Sequence, residues 1–196
     1  MTFINYASRE INCKIVYDGP DLCGKVENLQ FIYENSNPGT KSKLSSLGTE
    51  SDPTLSFHFL AELGNVRGFK TRLHMYSVPG PVFYSAARRL ILKGVDGIVF
   101  VADSQYDRMD ANVESLRNLQ RNLEARNRDL RTIPYVLQLN RRDSANAVPV
   151  DEMKARLCLG TEPVLEAIAH SQDGIGVFDT LKAVLKLILQ DLTKST

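Results

Sequence analysis

The sequence predicts a three-layer α/β fold with a mostly parallel central sheet, and three observations lead to that fold class. Strand-type segments alternate with helix-type segments along the chain, which is the order that a parallel sheet requires. Residues 95–103 and 133–140 are apolar almost throughout, as strands covered on both faces are. A turn with the spacing G-x-x-x-x-G-K joins the first long strand to the first helix. We expect one antiparallel strand in the sheet and a single domain over residues 1–196.

In the first half of the chain, apolar and β-branched runs bounded by glycine or proline predict strands, whereas a polar run rich in glycine and proline predicts a loop. The predicted elements are a strand over residues 11–19, a helix over 24–35, a loop over 36–53, and a hairpin of strands 54–60 and 70–78 around a turn at 64–68. A loop as long as residues 36–53 within one domain is usually functional or mobile.

The second half of the chain continues the alternation of strands and helices. Apolar residues at helical spacing between Met109 and Leu123, and again between Val177 and Leu192, predict two long amphipathic helices. The predicted elements are a strand over residues 95–103, a helix over 109–123, a strand over 133–140, a short helix over 150–157, a strand over 163–169 and a helix over 176–192.

Composition excludes several classes of function. The formal net charge of +1, with 24% charged residues, gives no long-range attraction to nucleic acid or to anionic membranes. The three cysteines are widely spaced and form no CxxC pair, which argues against a disulfide framework and a zinc site and favours a reducing cytosol. No run of 18 apolar residues predicts a membrane span. We therefore expect a cytoplasmic protein without a nucleic-acid partner.

The stretch "DGPDLCGKVE" predicts a loop that binds phosphate. Gly19, Gly24 and Lys25 lie between a strand and a helix, where backbone N–H groups and the helix N-terminus surround phosphate oxygens and the lysine reaches the outermost ones. Two glycines and a lysine at this spacing also arise by chance, so the position between strand and helix is the stronger part of the signal. We call residues 19–25 the phosphate loop.

The stretch "LQLNRRD" predicts a loop that binds a purine base. Asp143 can accept from the N1–H and the exocyclic amine of guanine, Asn140 can join this loop to the phosphate loop, and the long cationic Arg141 can cover the base. An N-x-x-D pattern alone is weak, because both residue types also occur in turns. Its value comes from the end of an apolar strand downstream of a phosphate loop, where α/β sheets bind ligands. We call residues 140–143 the base loop.

A third motif is the strand end "VPG" followed by a helix and an apolar strand, in the run "YSVPGPVFYSAARRLILKGVDGIVFVAD". This is the place where small GTPases sense the terminal phosphate, here through the amide of Gly80. The runs "NYASREINCKIVYDGP", "GFKTRLHMYSVPG" and "GVFDTLK" extend the pattern over nearly the whole chain. The sequence resembles the MglA family of bacterial Ras-like small GTPases, which set polarity and motility. The resemblance implies a Ras-like G domain with the fold of P-loop NTPases.

Set against the family pattern, the phosphate loop has lost chemical groups. Asp21 stands where the family has glycine, and Val26 and Glu27 stand where it has two threonines. Val26 cannot ligate magnesium, so no metal is expected at this loop. An acid about 7 Å from a phosphate charge costs roughly 2 kcal/mol at an effective dielectric of about 20. Asp21 and Glu27 would each oppose nucleotide binding if they faced the phosphates, whereas side chains that point outward would allow weak binding.

The two switch segments, which contain Thr54 and Gly80 and form the switch face, have also changed. Pro53 replaces the family arginine and Pro81 replaces the family glutamine, so no catalytic residue is expected, while Thr54 is retained. An arginine that stabilises the transition state raises the turnover rate of a GTPase by roughly 10³- to 10⁵-fold. Arg141 takes the place of the family lysine, a milder change. In the last base loop, residues 168–170, Ala169 is the position expected to lie beside the base.

These departures favour a pseudo-GTPase that binds GDP or GTP weakly or not at all, without magnesium, and acts as a protein-binding module in motility or polarity. The resemblance implies partners at the switch face, of the MglB or Roadblock type or polarity effectors. The alternative is a slow GTPase switch that a partner completes, favoured by the retained Lys25, Thr54, Gly80, Asn140 and Asp143. A P-loop kinase is disfavoured because the guanine-type base loop has no role there. His58 and His74 are expected to be packed or surface residues rather than a metal pair.

Overall fold

The computed structural model describes residues 3–49, 52–66, 68–79 and 85–194. Its centre is one mixed sheet whose strands are β1 (Phe3–Asn5), β2 (Glu10–Asp18), β3 (Ser45–Thr49), β4 (Asp52–Val66), β5 (Phe69–Ser77), β6 (Gly97–Asp103), β7 (Tyr135–Asn140) and β8 (Val164–Glu166). The strand order across the sheet is β3-β4-β5-β2-β6-β7-β8, and β1 pairs with β2 outside this path.

The predicted fold class is confirmed. Along the seven-strand path the pairs from β5 to β8 are all parallel, and β4 alone runs against its neighbours. The short strand β1 adds a third antiparallel pairing, with β2, to those of β3 with β4 and of β4 with β5, and the sequence did not predict it. The parallel strands β6 and β7 are buried along their full length, as their apolar runs predicted.

Helices cover both faces of the sheet and complete the three layers. They are α1 (Lys25–Glu34), α2 (Ser85–Leu92), α3 (Met109–Glu124), α4 (Val150–Leu157) and α5 (Val177–Lys194). Helices α1 and α5 pack with Ile15, Val99 and Val136 on one face of the sheet. Helices α2, α3 and α4 pack with Ile98, Phe100 and Leu137 on the other face. Neighbouring positions of one strand therefore belong to opposite cores, as the two-residue period of a strand requires.

The predicted loop over residues 36–53 is wrong in its second half. Residues 45–49 form β3 and pair in antiparallel register with β4, from Ser45 opposite Ser56 to Thr49 opposite Asp52. Lys41 also forms a bridge with Phe59. The polar composition predicted a loop. Strand β3 lies at the edge of the sheet, however, and an edge strand needs few apolar side chains.

Strand β4 is also longer than predicted, since it begins at Asp52 and continues to Val66 instead of covering residues 54–60. Proline has no N–H to donate to a neighbouring strand. Pro53 pairs with Gly48 of β3, and the register of β4 with β5 begins only at Ser56, so no pairing with β5 is interrupted at Pro53. Strand β8 is shorter than the predicted strand over 163–169, because the chain leaves the sheet after Glu166.

Gly97, the first residue of β6, allows α5 to lie close against the sheet. A Cβ atom at this position would be 2.6 Å from Ile188 Cδ1 and 2.9 Å from Val184 Cγ2, closer than carbon atoms pack. These two side chains belong to the apolar stripe of α5. The absence of a side chain at Gly97 therefore allows the short distance between α5 and β6.

We expect Gly97→Ala to lower the free energy of unfolding by about 1–3 kcal/mol, because the added methyl group overpacks the contact with α5. Urea titration followed by circular dichroism measures this quantity. Gly39→Ala is the matched control, since Gly39 is exposed and its Cβ would be 3.4 Å from the nearest atom, Asn37 Oδ1. Equal losses in the two variants would contradict the packing explanation.

Candidate functional site

The candidate site lies at the carboxyl ends of three neighbouring strands. Strand β2 ends at Asp18, β6 at Asp103 and β7 at Asn140, and the sheet places β6 between the other two. Asp103 and Asn140 are register partners. Parallel strands bring the residues that follow their carboxyl ends to one edge of the sheet, which is where open α/β sheets bind ligands.

The backbone of the phosphate loop takes a shape that only glycine fits at two points. Gly19 has a φ of +150°, and a Cβ atom there would lie 2.2 Å from the carbonyl oxygen of Val101. Gly24 has a φ of +101° and immediately precedes α1. The loop therefore rests directly on β6 and leads into the N-terminus of α1, with the glycines at the positions that a phosphate-binding loop uses.

Lys25 folds back over the phosphate loop instead of extending from it. Its Nζ donates to the carbonyl oxygens of Gly19 at 3.1 Å and Pro20 at 2.5 Å, and the residue is buried. Cys23 Sγ lies 3.8 Å from the same nitrogen. Burial raises the pKa of the Cys23 thiol to about 11, so this sulfur stays protonated and unreactive at neutral pH.

Asn140 joins three segments through one buried amide. Its Nδ2 donates to the carbonyl oxygen of Cys23 at 2.8 Å, and its Oδ1 accepts from the N–H of Ala169 at 2.9 Å. A Cβ atom on Gly24 would lie only 1.9 Å from that Nδ2. The base loop, the phosphate loop and the last base loop are thus held together by a side chain that the sequence analysis had assigned to this contact.

Two arginines hold the outer part of the phosphate loop. Arg108 donates to the carbonyl oxygen of Asp21 at 2.6 Å, and Arg141 donates to that of Leu22 at 2.7 Å. Both guanidinium groups also face the Asp103 carboxylate, with Nε to Oδ2 distances of 3.9 Å for Arg108 and 3.4 Å for Arg141. Burial raises the pKa of Asp103, and the Gln105 N–H and the two arginines oppose that rise.

Asp18 and Arg88 form a buried ion pair beneath the phosphate loop. Asp18 Oδ1 accepts from the N–H of Gly19 at 2.7 Å and lies 3.6 Å from Arg88 Nη2, which also donates to the carbonyl oxygen of Pro79. This pair, Arg108 and Asp103 were not predicted from the sequence. The available signal was an aspartate directly after each of two apolar strands, since an acid at a buried strand end requires a partner.

The side chain of Asp21 turns toward α3. It lines a cavity of about 160 Å³ between the phosphate loop and α3, together with Arg88, Arg108 and Ser115. Its Oδ1 is buried and accepts no hydrogen bond. Glu114 of α3 lines the same cavity, so acidic and basic side chains meet there.

Val26 and Glu27 occupy the first turn of α1. The Val26 side chain is partly buried against the core shared by α1 and α5. Glu27 is half-buried in the first turn, where a helix stabilises an acid. Valine has no oxygen for a metal ion, so neither residue supplies the hydroxyl group that the family pattern places at position 26.

Asp143 of the base loop is engaged by a histidine of the last base loop. His170 Nε2 lies 3.1 Å from Asp143 Oδ2, and both side chains are about half exposed. Ala169 is buried beside them and donates to Asn140 as described. The structure therefore brings together the base-side residues that the sequence predicted, and it adds His170.

The predicted switch residues do not all lie at the carboxyl ends of β2, β6 and β7. Thr54 lies in β4 opposite Leu47 of β3, within a hairpin and not in a loop over the phosphate loop. Pro53 precedes it in the same strand. Gly80 and Pro81, the two predicted positions of the second switch segment, lie outside the described residues.

His58 and His74 face each other across β4 and β5, with ring centroids 5.3 Å apart. His74 Nε2 lies 2.9 Å from Asn12 Oδ1. Burial lowers the pKa of His74, and the neighbouring His58 lowers it further. In the part of the chain that the structure describes, no group of three metal-ligating side chains could hold an ion. Within that same part, no helix has the length and apolar character needed to cross a bilayer.

A larger cavity lies away from this chemistry. It has a volume of about 400 Å³ and opens among the segments before β7 and β8 and the end of α5, with Pro134, Pro163 and Leu187 in its lining. Since these segments precede the strands, the cavity is at the opposite end of the sheet from the phosphate loop. We assign the candidate site by its side-chain chemistry and not by cavity size.

The chain is similar to a known protein over its full length. No protein-family model matches the sequence. The chain is 61% identical, over 195 residues, to a protein of Myxococcus xanthus (strain DK1622) named "Mutual gliding-motility protein MglA", and the match covers 99% of each chain. Similarity of this extent over both full lengths shows common family membership.

We expect Asn140→Asp to destabilise the protein by about 1–3 kcal/mol, because a carboxylate can still accept from Ala169 but cannot donate to Cys23. Chemical unfolding measures the loss, and hydrogen exchange should show faster opening of the phosphate-loop amides. Asn37→Asp is the matched control, since Asn37 is exposed and uses only its Oδ1, which accepts from Gly39 at 2.9 Å. An equal loss of stability in Asn140→Asp and in this control would contradict a role for the hydrogen bond from Asn140 to Cys23.

Proposed function

The chain belongs to the MglA family of Ras-like small GTPases, and on that basis we propose that it is a pseudo-GTPase that acts as a protein-binding module. The single observation that supports this most directly is Val26, an apolar side chain packed against the core at the position of the magnesium ligand. Without the magnesium ion, the phosphate charges of GTP lose their main counter-charge. Nucleotide binding is then impaired and useful hydrolysis is lost.

The residues of the site fit the base end of a guanine nucleotide better than its phosphate end. Asn140, Arg141 and Asp143 would hold the base side, and the backbone around Gly19 and Gly24 has the shape of a phosphate cradle. A magnesium ion does not fit, because position 26 offers only methyl groups. We therefore propose no magnesium and at most weak GDP or GTP.

Lys25 also supports impaired binding. Its ammonium group is already satisfied by two carbonyl oxygens of the phosphate loop and is buried, so a phosphate must compete for it. Loss of the arginine and glutamine at positions 53 and 81 removes the groups that the family pattern assigns to hydrolysis. Retained Thr54 and Lys25 keep the alternative open, a slow switch whose missing groups come from a partner.

Exposed apolar residues support a protein-binding role. Leu22 at the tip of the phosphate loop is 65% exposed, Leu90 on α2 is 68% exposed and Tyr106 after β6 is 72% exposed. A contiguous patch of exposed hydrophobic side chains is typical of protein-binding surfaces, and the proposal requires that these three residues contribute to one. We propose protein partners at the switch face, of the MglB or Roadblock type or polarity effectors, in bacterial motility or polarity. A cytoplasmic location is part of this proposal.

We expect the purified protein to retain no nucleotide and to bind fluorescent GDP or GTP weakly, with no gain from magnesium. Val26→Thr should introduce magnesium dependence and raise GDP affinity at least about tenfold, because threonine has the shape of valine and adds a ligand oxygen. Val113→Thr on α3, also partly buried, is the matched control and should change neither property. Tight magnesium-dependent binding by the unaltered protein would refute the proposal and favour the slow switch.

Restoring all five family residues should recover nucleotide binding. The combined variant is Asp21→Gly, Val26→Thr, Glu27→Thr, Pro53→Arg and Pro81→Gln, and we expect it to bind GTP more tightly than Val26→Thr alone. Fluorescence titration measures affinity, and phosphate release measures hydrolysis. Lys25→Ala in the same background should abolish the gain. A folded five-site variant that still fails to bind GTP would show that the defect lies elsewhere in the site.

A further inference from the structure

The Asp143 carboxylate, which would read guanine, already has a partner within the chain. His170 Nε2 lies 3.1 Å from Asp143 Oδ2, a hydrogen-bond distance. Asp143 side-chain exposure is 43% and that of His170 is 50%, so this contact is open to solvent.

A closed turn holds the backbone on both sides of His170. Ile168 forms a bridge with Ile175, and the Ser171 hydroxyl donates to the Ile168 carbonyl oxygen at 2.8 Å. Ala169, directly before His170, is anchored to Asn140. The turn and the anchor together fix the backbone of His170 beside the base loop.

A guanine base and His170 require the same acceptor. Guanine presents two parallel donors, its N1–H and its exocyclic amine, which match the two oxygens of one carboxylate. When His170 Nε2 carries the proton, it donates to one of those oxygens. Each carboxylate oxygen can accept more than one hydrogen bond, so the competition concerns the acceptor sites that face the base. An imidazole held at those sites of Oδ2 must move before guanine can use both oxygens.

We propose that His170 is a specificity-determining residue that competes with guanine for Asp143. This inference rests on the proposed guanine-type base loop and names its regulation. The competition weakens GDP binding and, above all, reduces the advantage of guanine over hypoxanthine, which has the N1–H but lacks the exocyclic amine.

The test compares GDP with inosine diphosphate, in the full chain and in a Val26→Thr, Glu27→Thr background that strengthens phosphate binding. We expect His170→Ala to raise GDP affinity about three- to tenfold, the effect of one exposed hydrogen bond. Inosine diphosphate affinity should change by less than about twofold, so the ratio of the two affinities rises. Titration with each nucleotide measures the ratio directly.

Two further variants separate the hydrogen bond from the bulk of the side chain. His170→Gln should keep the unaltered ratio, because the amide of glutamine can also donate to Asp143. Gln172→Ala is the matched control, since Gln172 is exposed in the same turn, and it should leave both affinities unchanged.

Equal gains for both nucleotides would overturn the inference, because removal of bulk alone would explain them. No gain for GDP in either background, including no binding at millimolar ligand, would overturn it too, since release of Asp143 would then confer no affinity for the base. Failure of the pseudo-GTPase proposal is recognised separately, by tight magnesium-dependent binding in the unaltered protein. In that case the ratio is measured on the unaltered chain and decides the inference by itself.

Discussion

The Asn140 side chain is the constraint on which the arrangement of the whole site depends. One amide binds the carbonyl oxygen of Cys23 and the N–H of Ala169, so it fixes the phosphate loop and the last base loop relative to β7. The contact is so close that residue 24 has no room for a side chain. Since Asn140 ends β7 and is paired with Asp103 of β6, the sheet itself sets the position of the amide.

Because protein groups hold the phosphate loop, its shape does not require a nucleotide. Asn28 Nδ2 donates to the Gly24 carbonyl oxygen and exchanges hydrogen bonds with Gln138, which also donates to Thr180. This buried network joins α1, β7 and α5 directly below the loop. A loop stabilised from beneath keeps its shape when neighbouring residues change, so Val26 is compatible with the retained glycine spacing.

The sequence predicted what depends on local pattern and failed where partners are distant. The apolar runs of β6 and β7 and the stripe on α5 were sufficient to predict the three layers, and the G-x-x-x-x-G-K spacing placed the phosphate loop. Strand β3 was missed because its pairing with β4, and not its polar composition, makes it a strand. The contact of Arg88 with Asp18 joins residues 70 positions apart, and no periodicity records it.

Acidic and basic side chains balance one another at this end of the sheet. Asp18 lies beside Arg88, and Asp103 lies between Arg108 and Arg141. Asp21 shares its cavity with two of these arginines. A buried carboxylate and its cation stabilise each other only while both remain, so an incoming phosphate that took one arginine would leave an acid unpaired. Under the proposed function, these acids oppose nucleotide binding by engaging the cations that a phosphate would otherwise use.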